Sequence, residues 1–162
     1  MSNSRLLLLA CGLWLAGTAG AADIVRRPNP GFPIASSVSV PAGAELLYVS
    51  GMLADVAQPS APAGSIERLG DTETQARSVF AKIDAQLRAA GYAMGDVVRM
   101  NVFLVGDPRK GGGMDFEGLM KAYSEHFGTA SQPNLPARTT VQVAGLPMPG
   151  ALVEIEVIAA RK

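Results

Sequence analysis

Two stretches of the sequence carry apolar residues at helical spacing, and strand-like segments flank both of them. In residues 76–90 the apolar positions recur every three or four residues, and Gly91 then supplies a left-handed stop. Residues 116–127 repeat the pattern and end at Gly128. Each stretch predicts an amphipathic helix with one face that packs and one that stays wet.

Polar residues at the start of each stretch predict where the two helices begin. The segment Thr72-Glu73-Thr74-Gln75 has the form of a capping box, in which the side chains of Thr72 and Gln75 satisfy unpaired amides of the first turn. Asp115 stands where it can cap the second helix. Both helices therefore have a predicted beginning as well as a predicted end.

Five segments rich in β-branched and apolar residues predict strands. They are residues 34–40, 45–50, 97–105, 139–143 and 152–160. The turn signal at residues 41–43 joins the first two, so this pair is predicted to form a hairpin. The order strand, strand, helix, strand, helix, strand, strand predicts an α+β domain with both helices on one face of a mixed sheet.

The last predicted strand indicates what covers the other face of the sheet. Its sequence LVEIEVIAA places Val153, Ile155 and Val157 on one side, and Leu152, Glu154, Glu156 and Ile158 on the other. A face that alternates carboxylates with leucine and isoleucine is neither a dry core nor a plain solvent surface. We therefore interpret it as a subunit interface or a cleft.

The N-terminal residues have the form of an export signal that precedes a single domain. Arg5 precedes an apolar run, which ends in small residues up to Ala21, where a signal peptidase would cut. We predict a signal peptide over residues 1–21, an extended segment over 22–33 and one domain over 34–162, in a periplasmic or secreted protein. Lipid attachment at Cys11 is the weaker alternative, because the apolar run before this cysteine is only five residues long.

The charge balance and the scarcity of cysteine and histidine exclude several classes of function. Acidic and basic residues number 14 each, so net charge directs the protein neither to nucleic acid nor to a membrane surface. Removal of the leader takes away the only cysteine, and His126 lacks companions for a metal site. We expect no metal and no organic cofactor. Ribonuclease activity is disfavoured because we find neither a basic patch nor a pair of histidines.

The C-terminal part of the chain carries a specific run of motifs. Residues 136–141 read PARTTV and residues 153–160 read VEIEVIAA, with the pairs VA and LP between them. Residues 49–51 read VSG, and residues 101–104 read NVFL. In order and spacing these motifs resemble the YjgF/RidA family of small enamine and imine deaminases, from about residue 34 to residue 161.

The resemblance implies a chorismate-mutase-like subunit with a curved mixed sheet, assembled as a homotrimer with clefts between subunits. In the deaminating branch of the family, an arginine matching Arg138 anchors the substrate carboxylate, and a glutamate matching Glu154 positions the attacking water. Residues matching Thr140, Ser50 and Gly51 line the same cleft. The implied reaction is hydrolysis of small enamino or imino acids to 2-oxo acids and ammonia, for which a guanidinium is suited because its fork of donors matches a carboxylate.

Three departures from the family pattern suggest a shifted substrate preference or lost turnover. Ile34 stands where active relatives have a tyrosine that lines the cleft, and Met52 replaces a frequent glutamine, so both changes predict a more apolar site. The loop over residues 106–113 is long and carries Arg109 and Lys110 at the expected rim of the cleft. The alternative function is that of a non-enzymatic, exported member of the family, which binds small carboxylates or acts as a chaperone.

Overall fold

The computed structural model describes residues 22–162. The predicted signal peptide over residues 1–21 and the alternative lipidation site at Cys11 lie outside the described residues. None of the helices within residues 22–162 is long and apolar enough to span a bilayer.

Both predicted amphipathic helices are confirmed, but the second ends at Tyr123 and not, as predicted, at Gly128. Helix α1 is a single turn, Ile66–Leu69, and the two long helices are α2, Thr72–Ala89, and α3, Phe116–Tyr123. Short 3-10 turns cover Met94–Asp96 and Pro108–Lys110. After α2, Gly91 has a φ of 80°, the left-handed conformation that its position predicts.

The predicted capping box at the start of α2 is wrong. The cap is Asp71, whose carboxylate accepts from the backbone N–H of Thr74 at 2.9 Å. The hydroxyl of Thr72 is buried without a hydrogen-bond partner. The side chain of Gln75 is buried and forms hydrogen bonds to the backbone of the loop before α2 and of the loop before β6. At the second helix Asp115 does cap, since its side chain accepts from the N–H of Gly118.

Six strands form one mixed sheet in the spatial order β1-β2-β5-β4-β6-β3. The strands are β1, Val25–Asn29; β2, Phe32–Ser39; β3, Glu45–Leu53; β4, Val97–Val105; β5, Ala137–Val143; and β6, Val153–Arg161. Strands β1 and β3 form the two edges of the sheet. Strand β1 pairs antiparallel with β2, so part of the segment predicted as extended over 22–33 belongs to the sheet. The two central strands, β4 and β6, pair antiparallel, whereas β4 and β5 are parallel.

The predicted hairpin between residues 34–40 and 45–50 is wrong. The turn itself forms, with the N–H of Ala44 donating to the carbonyl of Pro41 at 3.2 Å, but β2 pairs with β1 and β5 while β3 pairs with β6. A local turn signal sets only the reversal of the chain. Pairing is decided by which neighbour lets each strand bury its apolar face, and β6 offers β3 an apolar helix-side face.

The two long helices cover one face of the sheet, as the sequence predicts. Val153, Ile155 and Val157 of β6 are buried under them, whereas Glu154 and Glu156 are half-buried on the opposite face, which we call the open face. Leu152 is the one departure from the predicted alternation, because it lies before the strand begins and is buried. The fold is the α+β architecture expected, with one uncovered sheet face.

Candidate functional site

Arg138 lies at the start of β5 with its side chain under α3. Its guanidinium carbon lies 4.3 Å from the ring centroid of Tyr123 and 5.7 Å from the centroids of both Phe32 and Phe116. Aromatic faces attract a cation electrostatically, and desolvation strengthens that attraction. Arg138 is buried, so three rings hold a guanidinium that has been removed from most of its water.

The remaining contact of the guanidinium is a thioether. Both terminal nitrogens of Arg138 lie 3.3 Å from the sulfur of Met120, which is a weak neutral acceptor. Within residues 22–162 no carboxylate forms an ion pair with Arg138, and burial lowers the pKa of its guanidinium. Because arginine keeps its charge in proteins, the site presents a buried positive charge that nothing in the subunit neutralises.

Tyr123 supports this arrangement through its hydroxyl group. The hydroxyl donates to the carbonyl of Pro33 at 2.8 Å, and burial raises the pKa of the phenol to about 12. The phenol is therefore neutral at ordinary pH, so its ring can contact Arg138 without adding an anion. The same hydrogen bond fixes β2 against α3, which places Phe32 and Ile34 beside the guanidinium.

A small cavity opens onto Arg138. Its volume is about 170 Å³, and its lining residues are Phe32, Ile34, Phe116, Arg138 and Thr140. The hydroxyl of Thr140 is buried and has no hydrogen-bond partner, which is an unusual state for a buried polar group. The cavity thus combines one cation with apolar walls, and one of its lining residues has an unsatisfied buried hydroxyl.

Glu154 lies with Ser50 and Gly51 on the open face of the sheet. The pairing of β3 with β6 shifts register between Val49 and Met52, so Ser50 and Gly51 form a β-bulge opposite Glu156, and Glu154 pairs with Leu53. A Cβ atom on Gly51 would lie only 2.0 Å from the Oε1 atom of Glu154. The absence of a side chain at Gly51 is therefore what gives the carboxylate its position.

One subunit does not bring Arg138 and Glu154 together. Strand β4 lies between their strands, so two strand spacings, about 9.6 Å, separate them across the sheet. Met100 of β4 pairs with Arg138 on one side and with Val157 on the other. Val157 lies three residues beyond Glu154, so Arg138 and Glu154 are also about 10 Å apart along the strand direction. The two side chains also lie on opposite faces. The predicted residues thus form two groups, Arg138 with Thr140 and Ile34, and Glu154 with Ser50 and Gly51.

The open face also carries a polar network. Arg99 donates to the amide oxygen of Asn101 and to the hydroxyl of Thr139, each at 2.9 Å, and Asn101 donates to Glu156 at 2.7 Å. Arg99, Asn101 and Glu156 border a shallow cavity of about 380 Å³, which is also lined by Tyr48 and Ser50. Glu156, interpreted as structural from the sequence, is thus part of a hydrogen-bonded chain across the sheet.

Two of the departures from the family pattern have less effect than the sequence suggests. Met52 packs against the hydrophobic core on the helix side and does not line the open-face cavity. In the long loop, Arg109 pairs with the buried carboxylate of Asp107 at 2.8 Å, and Lys110 pairs with Asp115 at 2.8 Å. Both loop cations are therefore neutralised locally. Of the three departures, only Ile34 lines the cavity at Arg138, and none lines the open-face cavity.

His126 does not act as a charged helix terminus. The helix dipole alone would favour a protonated imidazole, but burial against Phe80, whose ring centroid lies 5.1 Å away, lowers the pKa of His126. Desolvation outweighs the nearby carboxylates of Glu125 and Asp84, which act in the opposite direction. Across residues 22–162 no cluster of three or more histidine, cysteine, aspartate or glutamate side chains is arranged to hold a metal ion.

Sequence reasoning missed the residues that surround Arg138. Phe116, Met120 and Tyr123 follow the helical spacing and were assigned to the core, while Phe32 lies in the segment predicted to be extended. All four contact the guanidinium. The available signal was the concentration of aromatic residues and methionine on one helix of a chain with few aromatic residues.

Comparison with known proteins gives a consistent assignment. The family model described as Endoribonuclease L-PSP matches residues 32–161. A RutC family protein of Pyrococcus horikoshii is 34% identical over 139 residues, which cover 85% of this chain and 96% of the relative. TdcF of Escherichia coli, named as a candidate reactive intermediate deaminase, is 37% identical over 91 residues, which cover 56% of this chain and 64% of TdcF.

Solved structures agree with the sequence relatives. The crystal structure of Escherichia coli TdcF with bound serine superposes with a TM-score of 0.54 at 30% identity, covering 85% of this chain and 94% of that one. The crystal structure of the Escherichia coli YjgF gene product gives a TM-score of 0.53 at 31% identity, covering 76% of this chain and 85% of that one. The fold of this chain, a mixed sheet with two long helices on one face, is therefore similar to the folds of these proteins.

Proposed function

Since this chain belongs to the Endoribonuclease L-PSP family, which is the YjgF/RidA family, we propose that it hydrolyses small reactive enamino and imino acids to 2-oxo acids and ammonia. The relative TdcF is named as a candidate reactive intermediate deaminase, and its crystal structure holds serine, a small amino acid with a carboxylate. The proposal assigns the carboxylate of the substrate to Arg138 and the attacking water to Glu154.

The observation that carries the proposal is the buried and unneutralised guanidinium of Arg138. A charge removed from water is costly unless an opposite charge or a set of hydrogen bonds compensates for it. Here the contacts are three aromatic rings and one thioether, and the adjacent cavity is also lined by Thr140, whose buried hydroxyl has no partner. A ligand carboxylate would supply the missing anion, and arginine would hold it through two parallel hydrogen bonds.

Hydrolysis of an imine requires the protein mainly to position the substrate and the attacking water. A protonated imine is already electrophilic, so water adds to its carbon atom and gives a carbinolamine. Collapse of that intermediate breaks the carbon–nitrogen bond, releases ammonia and leaves the oxygen of water in the 2-oxo acid. Glu154 accepts a proton from the attacking water, and a proton is returned to the leaving nitrogen. These reaction steps require neither a metal nor an organic cofactor.

We further propose that each site is assembled between two copies of the chain in a homotrimer. Arg138 and Glu154 of one subunit lie on opposite faces of the sheet, roughly 14 Å apart at their Cα atoms, so one substrate cannot contact both. The open face, which carries Glu154, also carries exposed apolar side chains, among them Leu46, Tyr48 and Val141. An adjoining copy seated on this face would cover them and supply its own Arg138 to the cleft.

The test is hydrolysis of a freshly generated 2-imino acid. An amino-acid oxidase produces the imine in the presence of catalase, and capture by semicarbazide competes with hydrolysis. The wild type should accelerate hydrolysis above the spontaneous rate, and Arg138→Ala should lower kcat/KM by about 100-fold or more, because it removes the partner of a buried carboxylate. Arg138→Lys keeps the charge without the fork of donors and should recover only part of the activity.

Matched variants separate loss of the site from loss of the fold. Glu154→Gln preserves shape and should lower kcat by about 100-fold or more, while Arg27→Ala, at an exposed position of β1, should leave activity unchanged. Thermal melting of each variant shows whether it is folded. If the folded wild type leaves the spontaneous rate unchanged but still binds small carboxylates through Arg138, the non-enzymatic binding function replaces the deaminase.

We propose a periplasmic or secreted place of action, on the basis of the signal peptide predicted over residues 1–21. Removal of residues 1–21 would leave Ala22 at the N-terminus. N-terminal sequencing of the protein recovered from its native cells tests this, and a start at Ala22 is the expected result. Retention of Met1 would contradict export, and a lipidated Cys11 at the N-terminus would mean membrane anchorage.

A further inference from the structure

A second guanidinium without an ion pair lies on the edge strand β1. The Nη2 atom of Arg26 donates to the carbonyls of Gly95 at 2.9 Å and of Val97 at 3.4 Å. Within residues 22–162 no carboxylate forms an ion pair with Arg26. Partial burial lowers the pKa of its guanidinium, although the carboxylate of Asp96 acts in the opposite direction. Arg26 is therefore a half-buried cation whose direct partners are two neutral carbonyls.

The other two nitrogens of Arg26 differ in their access to a ligand. The Nε atom is buried and has no hydrogen-bond partner, which is an unusual state for a buried donor. The Nη1 atom also forms no hydrogen bond within residues 22–162, but it is not buried. Because Arg26 lines a cavity of about 330 Å³, Nη1 is the atom through which it can donate to an anion bound there.

The cavity lies between β1, the turn before β4 and the end of β6, and several of its polar side chains are already fixed. The carbonyl of Gly95 accepts from the amide of Asn134 at 3.1 Å as well as from Arg26. The guanidinium carbon of Arg161 lies 4.5 Å from the ring centroid of Tyr92. Arg26, Asn134 and Arg161 all line the cavity. Side chains that are ordered before a ligand binds lose less conformational entropy on binding.

The carboxylates near this cavity are either committed elsewhere or easily replaced. Asp96 accepts from a backbone N–H of its own turn at 2.8 Å. Asp23 pairs with Lys162, and its side chain is 86% exposed. Glu45 pairs with Arg161 at 2.9 Å, and its side chain is 62% exposed. Exposed ion pairs contribute little free energy, so a ligand anion can compete with both carboxylates for the two cations.

We propose that this cavity is a second anion site, which binds a small phosphate-type oxyanion through Arg26, Arg161 and Lys162. The three cations reach the cavity from β1 and from residues 161–162, so donors approach an anion from more than one side. A tetrahedral phosphate presents oxygens in several directions, whereas a planar carboxylate is satisfied by one guanidinium. None of the residues that line the cavity at Arg138 lines this one. The site is thus additional to the proposed deaminase function and independent of it.

Isothermal titration with inorganic phosphate, at constant ionic strength, tests the site. The wild type should bind phosphate saturably, and Arg26→Gln should weaken binding by at least about tenfold, because it keeps an amide donor but removes the charge. Arg27→Gln removes the same charge from the exposed neighbouring residue and should keep the affinity of the wild type. Equal affinities in the two variants, or no saturable binding by the wild type, would overturn the proposal.

A second pair of variants does not depend on how well the fold tolerates a change at Arg26. Asp23→Asn removes the carboxylate that competes for Lys162 and should strengthen phosphate binding by about threefold. Asp55→Asn removes the same charge from an exposed residue that pairs with Lys82 and does not line the cavity, so it should leave the affinity unchanged. An affinity that is the same in Asp23→Asn and Asp55→Asn would contradict the site.

Arg138→Ala separates this site from the one at the start of β5. The variant should bind phosphate with the affinity of the wild type, because Arg138 does not line the cavity. Loss of phosphate binding in Arg138→Ala would place the phosphate at the start of β5 and overturn the inference. A wild type that binds phosphate through Arg26 but hydrolyses no imine would support the second site and contradict only the deaminase function.

Discussion

At the scale of single residues, the proposed anion site depends on the absence of a carboxylate from the contacts of Arg138. A carboxylate at the position of Met120 would neutralise the guanidinium and remove its affinity for a ligand anion, whereas a thioether orients the same nitrogens and leaves the charge available. The aromatic rings act in the same way, because they stabilise a cation without carrying a negative charge. The neutrality of these neighbours is therefore part of the proposed anion site.

Met120→Glu should weaken the binding of 2-oxobutyrate by at least about tenfold, because the new carboxylate competes for the guanidinium at contact distance. Met120→Leu, which keeps the size of the side chain without a carboxylate, should retain most of the affinity. Isothermal titration measures both. Met148→Glu adds the same charge to a loop on the surface and serves as the control; equal affinities in Met120→Glu and Met148→Glu would contradict this account of Arg138.

Gly51→Ala should lower kcat by about tenfold or more with little change in KM, because the added Cβ atom would lie 2.0 Å from Oε1 of Glu154 and displace the carboxylate. Gly113→Ala is the matched control, since a Cβ atom at that position meets nothing within 4 Å. Steady-state kinetics with the 2-imino acid produced by oxidation of 2-aminobutyrate gives both kcat and KM. Unchanged kinetics in Gly51→Ala would mean that the position of Glu154 does not limit the reaction.

At the scale of the elements, helix α2 is tied to the sheet through one buried amide. The side chain of Gln75 donates to the carbonyls of Gly70 and Gly150 at 2.9 and 3.0 Å and accepts from the N–H of Leu152 at 2.8 Å. The loop before α2 and the loop before β6 thus meet at one residue. This contact sets where β6 begins, and with it the positions of Glu154 and Glu156.

Gln75→Leu should lower the free energy of unfolding by roughly 2–4 kcal/mol, because it leaves up to three buried backbone groups without their partner. Urea denaturation followed by circular dichroism measures the change. Gln86→Leu, at an exposed position of the same helix, should stay within about 0.5 kcal/mol of the wild type. A loss in Gln75→Leu no larger than that of Gln86→Leu would show that the three hydrogen bonds contribute little.

At the scale of the whole molecule, the sheet is covered on one side only. The helices bury Val153, Ile155 and Val157, while the open face keeps Tyr48 70% exposed beside half-buried carboxylates. Exposed apolar side chains around a polar network are typical of a surface that another chain covers. The proposed homotrimer would bury this face, and the catalytic pair would form only on assembly.

Tyr48→Glu should therefore reduce both the assembly and its activity. Light scattering coupled to size exclusion should give about three chains for the wild type and fewer for the variant, because a buried unpaired carboxylate opposes association. Val56→Glu, at an exposed position after β3, should keep the mass of the wild type. A trimer that persists in Tyr48→Glu with full activity would place the interface elsewhere.

What the sequence determined by itself was periodic or local. The spacing in residues 76–90 and 116–127 identified both helices, the alternation in β6 separated Val153 and Ile155 from Glu154, and Asp115 was identified as a cap. The order and spacing of PARTTV, VEIEVIAA, VSG and NVFL indicated the family, which the comparisons show. These features depend on neighbours within a few positions along the chain, so a linear sequence displays them directly.

The tertiary structure alone decided which segments meet. It placed β2 and β3 near opposite edges of the sheet. It made Asp71 the cap of α2, while Gln75 forms hydrogen bonds to two loops. It also brought Phe32, Phe116 and Met120 into contact with Arg138. It also placed Arg138 and Glu154 on opposite faces. Strand pairing and burial depend on contacts between residues distant in sequence, and a one-residue change of register or a β-bulge reverses the face on which a side chain lies.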